Sequence, residues 1–268
     1  VQHTGSLSIE IDWAEQWRSL VARRAAAAGG RSDPGYWDRR APTFARSTQA
    51  RSDAFLDVIG PYLSAAKTLI DVGAGSGRHA VPLSERLEWV TAVEPSEGMR
   101  AQIPHRDNIT IVASTWQDAA VAPADLLICS HVLYGVENPT PFIAKMEASA
   151  RERIFIMLRE SPMAHLGALV RDRLFGEEPR LPRFSDLFML LVQMNIAPDV
   201  KFTYYSNPQR YADIEEALSD CAAMIGDRWD EKQGRSFVEE LLERDGEGLV
   251  FKGGFTLTGI AHWQPRSR

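Results

Sequence analysis

Between Ile11 and about Ala28 the apolar residues Trp13, Trp17, Leu20 and Val21 fall on one stripe at helical spacing, which predicts an amphipathic helix ended by Gly29 and Gly30. The segments PGYWDRRAPTFAR and RSDAFLDVIGPYL predict two shorter helices behind it. The pattern then changes to short runs that are apolar almost throughout: TLIDVG at 68–73, WVTAVEP at 89–95, ITIVAS at 109–114, DLLICS at 125–130 and RIFIML at 153–158. Helical stretches at 78–86, around 97–102 and at 139–150 separate several of them. A chain returning to the same sheet edge needs a crossover, so this alternation predicts a parallel sheet, and runs with no polar face predict strands covered on both sides.

After Glu160 the pattern loosens. SPMAHLGALVRDRLFG and FSDLFMLLVQMNI read as helices split by EEPRLPR, and VKFTYY at 200–205 reads as a strand. Helices near 208–223 and 232–244 carry mixed charge and are expected to cover one side of the sheet. The closing strand is GGFTLTGIAHW at 253–263, where Phe255, Leu257 and Ile260 supply apolar side chains and the imperfect alternation suggests a twist or bulge near Gly259. The expected class is α/β, a doubly wound, mostly parallel sheet of seven strands. Residues 1–60 form a helical N-terminal extension and lid, 61–268 form the main domain, and a helical insertion at about 161–183 follows the fifth strand.

Charge narrows the function classes. Lys and Arg total 30 against 36 Asp and Glu, a net charge of −6, which argues against a nucleic-acid surface. The two cysteines, Cys129 and Cys221, form neither a disulfide framework nor a metal cluster, so no metal is expected. VQHTGSLSIE lacks the features of a signal peptide and no window reaches transmembrane length, so the expectation is a cytoplasmic protein without a membrane partner.

The strongest chemical signal is Asp71-Val72-Gly73-Ala74-Gly75-Ser76-Gly77-Arg78, placed after a strand and before a helix. Glycine lets a backbone turn sharply and approach a ligand without a Cβ. A dinucleotide fingerprint needs glycine at the first, third and sixth positions, whereas here the sixth is Arg78, which argues against an NAD-dependent oxidoreductase. No GK[ST] follows, which excludes a Walker loop. Glu94 ends the next strand, where a carboxylate can accept from both hydroxyls of a ribose.

DVGAGSGRHA and AVEPS together resemble the class I S-adenosylmethionine-dependent methyltransferases, a Rossmann-like family, over about 36–160. The resemblance implies that Gly73, Ala74, Gly75 and Gly77 approach the methionine part of the cofactor, with Asp71 near its amino group and Glu94 on the ribose diol. Pro95, Ser96 and Met99 would cover the adenine face. After ITIVAS the family's frequent glycine-aspartate-alanine is replaced by Ser114-Thr115-Trp116-Gln117-Asp118, where Thr115 supplies a polar contact and Trp116 an aromatic wall, with Asp118 the nearest acid. Ser130, His131, Leu133 and Tyr134 would face the substrate. A WxxxAxxF pattern at Trp37, Ala41 and Phe44 makes Tyr36 and Trp37 lid candidates.

The implied reaction is methyl transfer to a small-molecule acceptor at oxygen, nitrogen, sulfur or carbon, leaving S-adenosylhomocysteine. His131 and His165 are the candidate bases, with Tyr134 beside them, although His131 could equally shape the pocket as a hydrogen-bond donor. Met163, His165, Leu166, Leu169 and Phe175 would line an acceptor cavity or a dimer face, so a monomer and a homodimer both stay open. The alternatives are a non-catalytic S-adenosylmethionine-binding module, an RNA or protein methyltransferase, and the oxidoreductase.

Overall fold

A computed structural model describes residues 11–27, 35–48, 53–161, 165–176, 179–206 and 208–266. Helices α1 (Trp13–Ala27), α2 (Tyr36–Thr48) and α3 (Ala54–Ile59) precede β1 (Thr68–Val72), α4 (Ala80–Ser84), β2 (Trp89–Val93), α5 (Glu97–Arg100) and β3 (Ile109–Val112). Next come β4 (Ala124–Ser130), α6 (Pro139–Ser149), β5 (Ala150–Arg159), α7 (Leu166–Phe175), α8 (Phe184–Gln193) and β6 (Asp199–Ser206). The chain ends with β7 (Gln209–Tyr211), α9 (Ile214–Ile225), α10 (Glu231–Leu241), β8 (Glu243–Asp245), β9 (Gly248–Phe251) and β10 (Phe255–Trp263).

Seven strands pair in the order β3-β2-β1-β4-β5-β10-β6. The first five are mutually parallel, and β10 runs antiparallel to both of its neighbours. This is the doubly wound, mostly parallel sheet expected from the apolar runs. Its strand order reverses between β1 and β4, so the crevice of such a sheet opens beyond their carboxyl ends.

Alternation along each strand builds the two faces. Ile70, Leu127, Cys129, Ile154 and Ile156 point to the layer holding Trp17, Phe142, Met146, Leu187 and Leu191. Leu69, Leu126, Ile128 and Phe155 point to Phe55, Ile59 and Leu83 on the other side. Helix α1 is thus a wall of the core: Trp17 is fully buried and its indole N–H donates to the Val136 carbonyl at 2.8 Å. Asp12 starts that helix by accepting from the Ala14 and Glu15 amides at 3.0 and 3.2 Å.

Two expectations for the second half are corrected. The late helices do not cover the sheet. With α7 and a small antiparallel sheet ordered β7-β9-β8, they enclose a separate core of Leu166, Val170, Leu218, Cys221, Val238 and Phe251. The segment near 208 is strand, and α9 begins only at Ile214, where Asp213 accepts from the Glu216 amide at 2.9 Å. Strands of three and four residues are too short to show a period of two, which hid this satellite. Helix α7, within the expected insertion at about 161–183, joins the satellite, whereas α8 beyond it packs on β5 and β10.

Gly259 also has a different reason. The pairing of β10 runs without interruption through it on both sides, so no bulge forms there. A Cβ at Gly259 would lie 2.2 Å from Phe184 Cγ, so the glycine makes room for that ring. Gly259→Ala is expected to destabilise the fold by about 1–3 kcal/mol through overpacking. Urea denaturation measures this, and Phe184→Leu in the same chain should return part of the loss.

Candidate active site

The loop after β1 is fastened to the end of β2, because the Gly73 and Ala74 amides donate to the Val93 carbonyl at 2.8 and 3.1 Å. Gly73, Gly75 and Gly77 take φ values of 69°, 57° and 81°, in the left-handed region that favours glycine. A Cβ at Gly73 would meet Val132 Cγ2 at 2.4 Å, whereas one at Gly75 would find nothing nearer than Phe44 Cε1 at 3.9 Å. Gly73 is a packing glycine, and Gly75 leaves backbone open beneath Phe44.

Glu94 is held from both ends. Its Oε2 accepts from the Gly75 amide and its Oε1 from the Ser96 amide, each at 2.8 Å. Burial pushes this carboxyl up and the two N–H groups oppose the shift. Each oxygen keeps a further acceptor position. Asp71 is only 1% exposed, and its Oδ2 has no hydrogen-bond partner among the described residues. Burial raises its pKa to about 6; the His79 ring and the Ala80 amide oppose that shift, while the Glu94 charge adds to it.

Two front-end acids, neither evident as a site residue from the sequence, fix the surroundings. Asp53 caps α3 through the Phe55 amide at 3.0 Å and reaches both His79 Nε2 and Arg78 Nη2 at 2.9 Å. Burial works against its charge, yet the His79 and Arg78 contacts hold it at about 2. Asp38 of α2 accepts from the Ser96 hydroxyl at 2.6 Å and the Gly98 amide at 2.8 Å. A Cβ at Gly98 would come within 2.8 Å of Asp38 Cα and its carbonyl oxygen, so α2 lies directly on α5. Pro42, one turn on, has no N–H to give that carbonyl. Tyr36 and Trp37 touch edge to face at 5.1 Å, as do Trp37 and Phe44 at 5.6 Å.

The next predicted positions divide. The Pro95 carbonyl accepts from Arg100 Nη1 at 2.6 Å, and the Met99 side chain is buried. Thr115 is exposed and donates to Asp118 Oδ2 at 2.7 Å. Trp116, expected as an aromatic wall, is turned into the core: it is 3% exposed and donates to the Phe142 carbonyl at 3.2 Å. Three carbonyls of the turn, those of Trp116, Gln117 and Ala119, bind the Lys145 ammonium, which keeps the indole against α6.

At the end of β4, Ser130 is half-buried and His131 adopts φ 60°, with its amide donating to the Met157 carbonyl at 2.9 Å. His131 Nδ1 lies 2.8 Å from the Tyr134 hydroxyl. That hydroxyl accepts from the Arg159 amide at 2.8 Å and from Arg159 Nε at 3.1 Å. With both acceptor positions used, the phenol proton goes to Nδ1, and the neutral imidazole carries its own proton on Nε2. Burial, together with the charges of Arg159 and Arg78, holds His131 well below its ordinary pKa. In that tautomer the free Nε2 is a hydrogen-bond donor.

His165 sits at the start of α7 with Nε2 3.8 Å from Asp220 of α9, inside the satellite. Leu166 is buried there, and Leu169 and Phe175 are partly exposed, with the Arg228 guanidinium 3.8 Å over the Phe175 ring. Met163 lies outside the described residues. Among the described residues no group of three His, Cys, Asp or Glu is arranged to hold a metal, and no helix is long and apolar enough to cross a membrane.

Residues 70–153 match a family model described as a methyltransferase domain. A candidate methyltransferase from an antibiotic-biosynthesis pathway of Anabaena variabilis superposes with a TM-score of 0.57 at 16% identity, covering 80% of this chain and 99% of that one. A candidate methyltransferase of Bacillus halodurans gives a TM-score of 0.53 at 9% identity, covering 80% and 98%. At such identities these are likenesses of fold. An uncharacterised protein of Haemophilus influenzae is 25% identical over 177 residues, which take in 62% of this chain and 65% of the relative's length. Over residues 70–153 the chain thus matches a methyltransferase-domain family, and its sheet has the doubly wound, Rossmann-like strand order.

Proposed function

We propose that the protein binds S-adenosylmethionine across the glycine loop and Glu94 and transfers its methyl group to a small molecule held over the ends of β4 and β5. The observation that carries this reading is the double fixing of Glu94 by the Gly75 and Ser96 amides, which orients two oxygens with acceptor capacity left for a ribose diol. The buried Oδ2 of Asp71 beside the loop, without a partner among the described residues, fits an ammonium such as that of the methionine part. When bound, the sulfonium supplies an already activated methyl group, so the chain needs no strong nucleophile of its own. Its residues hold the acceptor in line and keep water out. His131, donating through Nε2, steadies an acceptor oxygen or nitrogen rather than taking its proton.

Calorimetry with S-adenosylmethionine, S-adenosylhomocysteine and NAD tests the reading. Binding of the first two and silence with NAD are expected; heat with NAD alone overturns it.

The Asp71 carboxyl sets a pH dependence. An ammonium binds its ionised form, so S-adenosylhomocysteine affinity should rise up to about tenfold per pH unit below pH 6 and level off above it. Asp71→Asn should flatten that profile and weaken binding at neutral pH. The raised pKa acts on folding in the opposite direction. The unfolded carboxyl loses its proton near pH 4 and the folded one near 6, so stability falls across that window by roughly 3 kcal/mol, and a bound ammonium returns part of it.

A further inference from the structure

We infer that Arg159 anchors a carboxylate on the methyl acceptor, so that the substrate class is a small carboxylate-bearing molecule; this rests on the methyl-transfer reading above. Arg159 ends β5, and its guanidinium is aimed by two contacts. Nε donates to the Tyr134 hydroxyl at 3.1 Å, and the planar group lies 4.8 Å over the Tyr134 ring. Those contacts use the Nε position and one face, and leave the edge bearing Nη1 and Nη2. Among the described residues Arg159 makes no ion pair. The nearby cations are treated differently, since Arg78 and His79 both contact Asp53. The adjacent acid, Glu160, is drawn away to α8, where it accepts from the Ser185 amide at 2.8 Å and the Ser185 hydroxyl at 3.2 Å. The result is a half-buried positive charge with no carboxylate paired to it among the described residues.

Strand order gives this charge its place in the reaction. The glycine loop follows β1 and Glu94 follows β2, so the cofactor covers that half of the crevice. Arg159 lies on the other side of β4, at the end of the strand after it. Neighbouring strands are about 5 Å apart, so the ends of β1 and β5 are separated by roughly 10 Å with His131 between them. An acceptor the size of one ring bridges that span, its reacting atom toward the glycine loop and its carboxylate on Arg159. The free edge of a guanidinium matches a planar carboxylate with two parallel N–H donors. His131, on a ring that Tyr134 ties to Arg159, would add a third donor through Nε2. Tyr134 is a positioning residue in this arrangement, and Arg159 determines specificity.

The test uses the full chain saturated with S-adenosylhomocysteine and titrated with benzoate, phenylacetate and butyrate, each beside its primary amide, and with inorganic phosphate. At least one carboxylate should bind at least about tenfold more tightly than its amide. Arg159→Gln should erase that preference and Arg159→Lys retain part of it, with S-adenosylhomocysteine affinity kept within about twofold in both, which also reports that they fold. The inference is overturned if amides bind as well as acids, if phosphate alone binds, or if the preference survives in Arg159→Gln. A large loss of S-adenosylhomocysteine affinity in Arg159→Gln, with Arg159→Lys unaffected, overturns it too, by assigning the arginine to the cofactor's own carboxylate. Failure of the wild-type chain to bind S-adenosylhomocysteine at all is a different result, and removes the methyl-transfer reading itself.

Discussion

Replacing Glu94 by Ala is expected to raise the dissociation constant for S-adenosylhomocysteine by about 10- to 100-fold, the loss of roughly 1.5–3 kcal/mol that goes with a charged acceptor. Two effects contribute. The ribose hydroxyls lose their partner, and the Gly75 and Ser96 amides lose the oxygens that join the glycine loop to the turn after β2. Glu94→Gln separates this arrangement from an ordinary charge effect. A carboxamide has one acceptor oxygen, so its NH2 would face one of the two amide donors, and neither orientation satisfies both. Gln should therefore behave nearly as badly as Ala, although it is almost the same size. Calorimetry gives the affinity and circular dichroism the integrity of the fold. A Gln variant that binds like the wild type would show that the double clamp has no part in binding.

Gly73→Ala should be the most damaging single-methyl change in the loop. The backbone there has φ 69°, which costs an L-residue about 1–2 kcal/mol, and the new Cβ would lie 2.4 Å from Val132 Cγ2, adding an overpacking cost of about 1–3 kcal/mol. For a chain of this length that amounts to a fall in melting temperature of roughly 5–15 °C. The two costs can be separated. Val132→Ala removes the obstructing methyls without touching φ, so adding Gly73→Ala in that background should cost only the backbone share, and the difference between the two measurements is the steric share. Equal costs in the two backgrounds would mean that Val132 moves aside freely. Because Val132 immediately follows His131, such movement would also alter the donor at the end of β4, visible as a change in acceptor turnover.

The amino-acid sequence by itself determined what depends on neighbours along the chain. Five apolar runs spelled out β1 to β5, glycines at 73, 75 and 77 marked the positions that needed φ above zero, and Glu94 stood at the end of β2. These are effects of backbone geometry and of burial on both faces, each complete within a few residues. The satellite was not legible, because strands as short as Gln209–Tyr211 and Gly248–Phe251 show no period and become a sheet only by meeting each other.

The same limit applied to the polar groups. Asp38 with Ser96 and Gly98, Asp53 with His79, and Arg159 with Tyr134 join residues 58, 60, 26 and 25 positions apart, and no local pattern announces such pairs. Trp116 shows the rule from the other side: its place in the sequence pointed toward the crevice, but Phe142 and Lys145 offered its indole a buried seat. His131 was visible as a polar residue leaving a buried strand. Only the tertiary structure showed which groups surround its ring, because Tyr134, which meets its Nδ1, in turn receives two donors from Arg159.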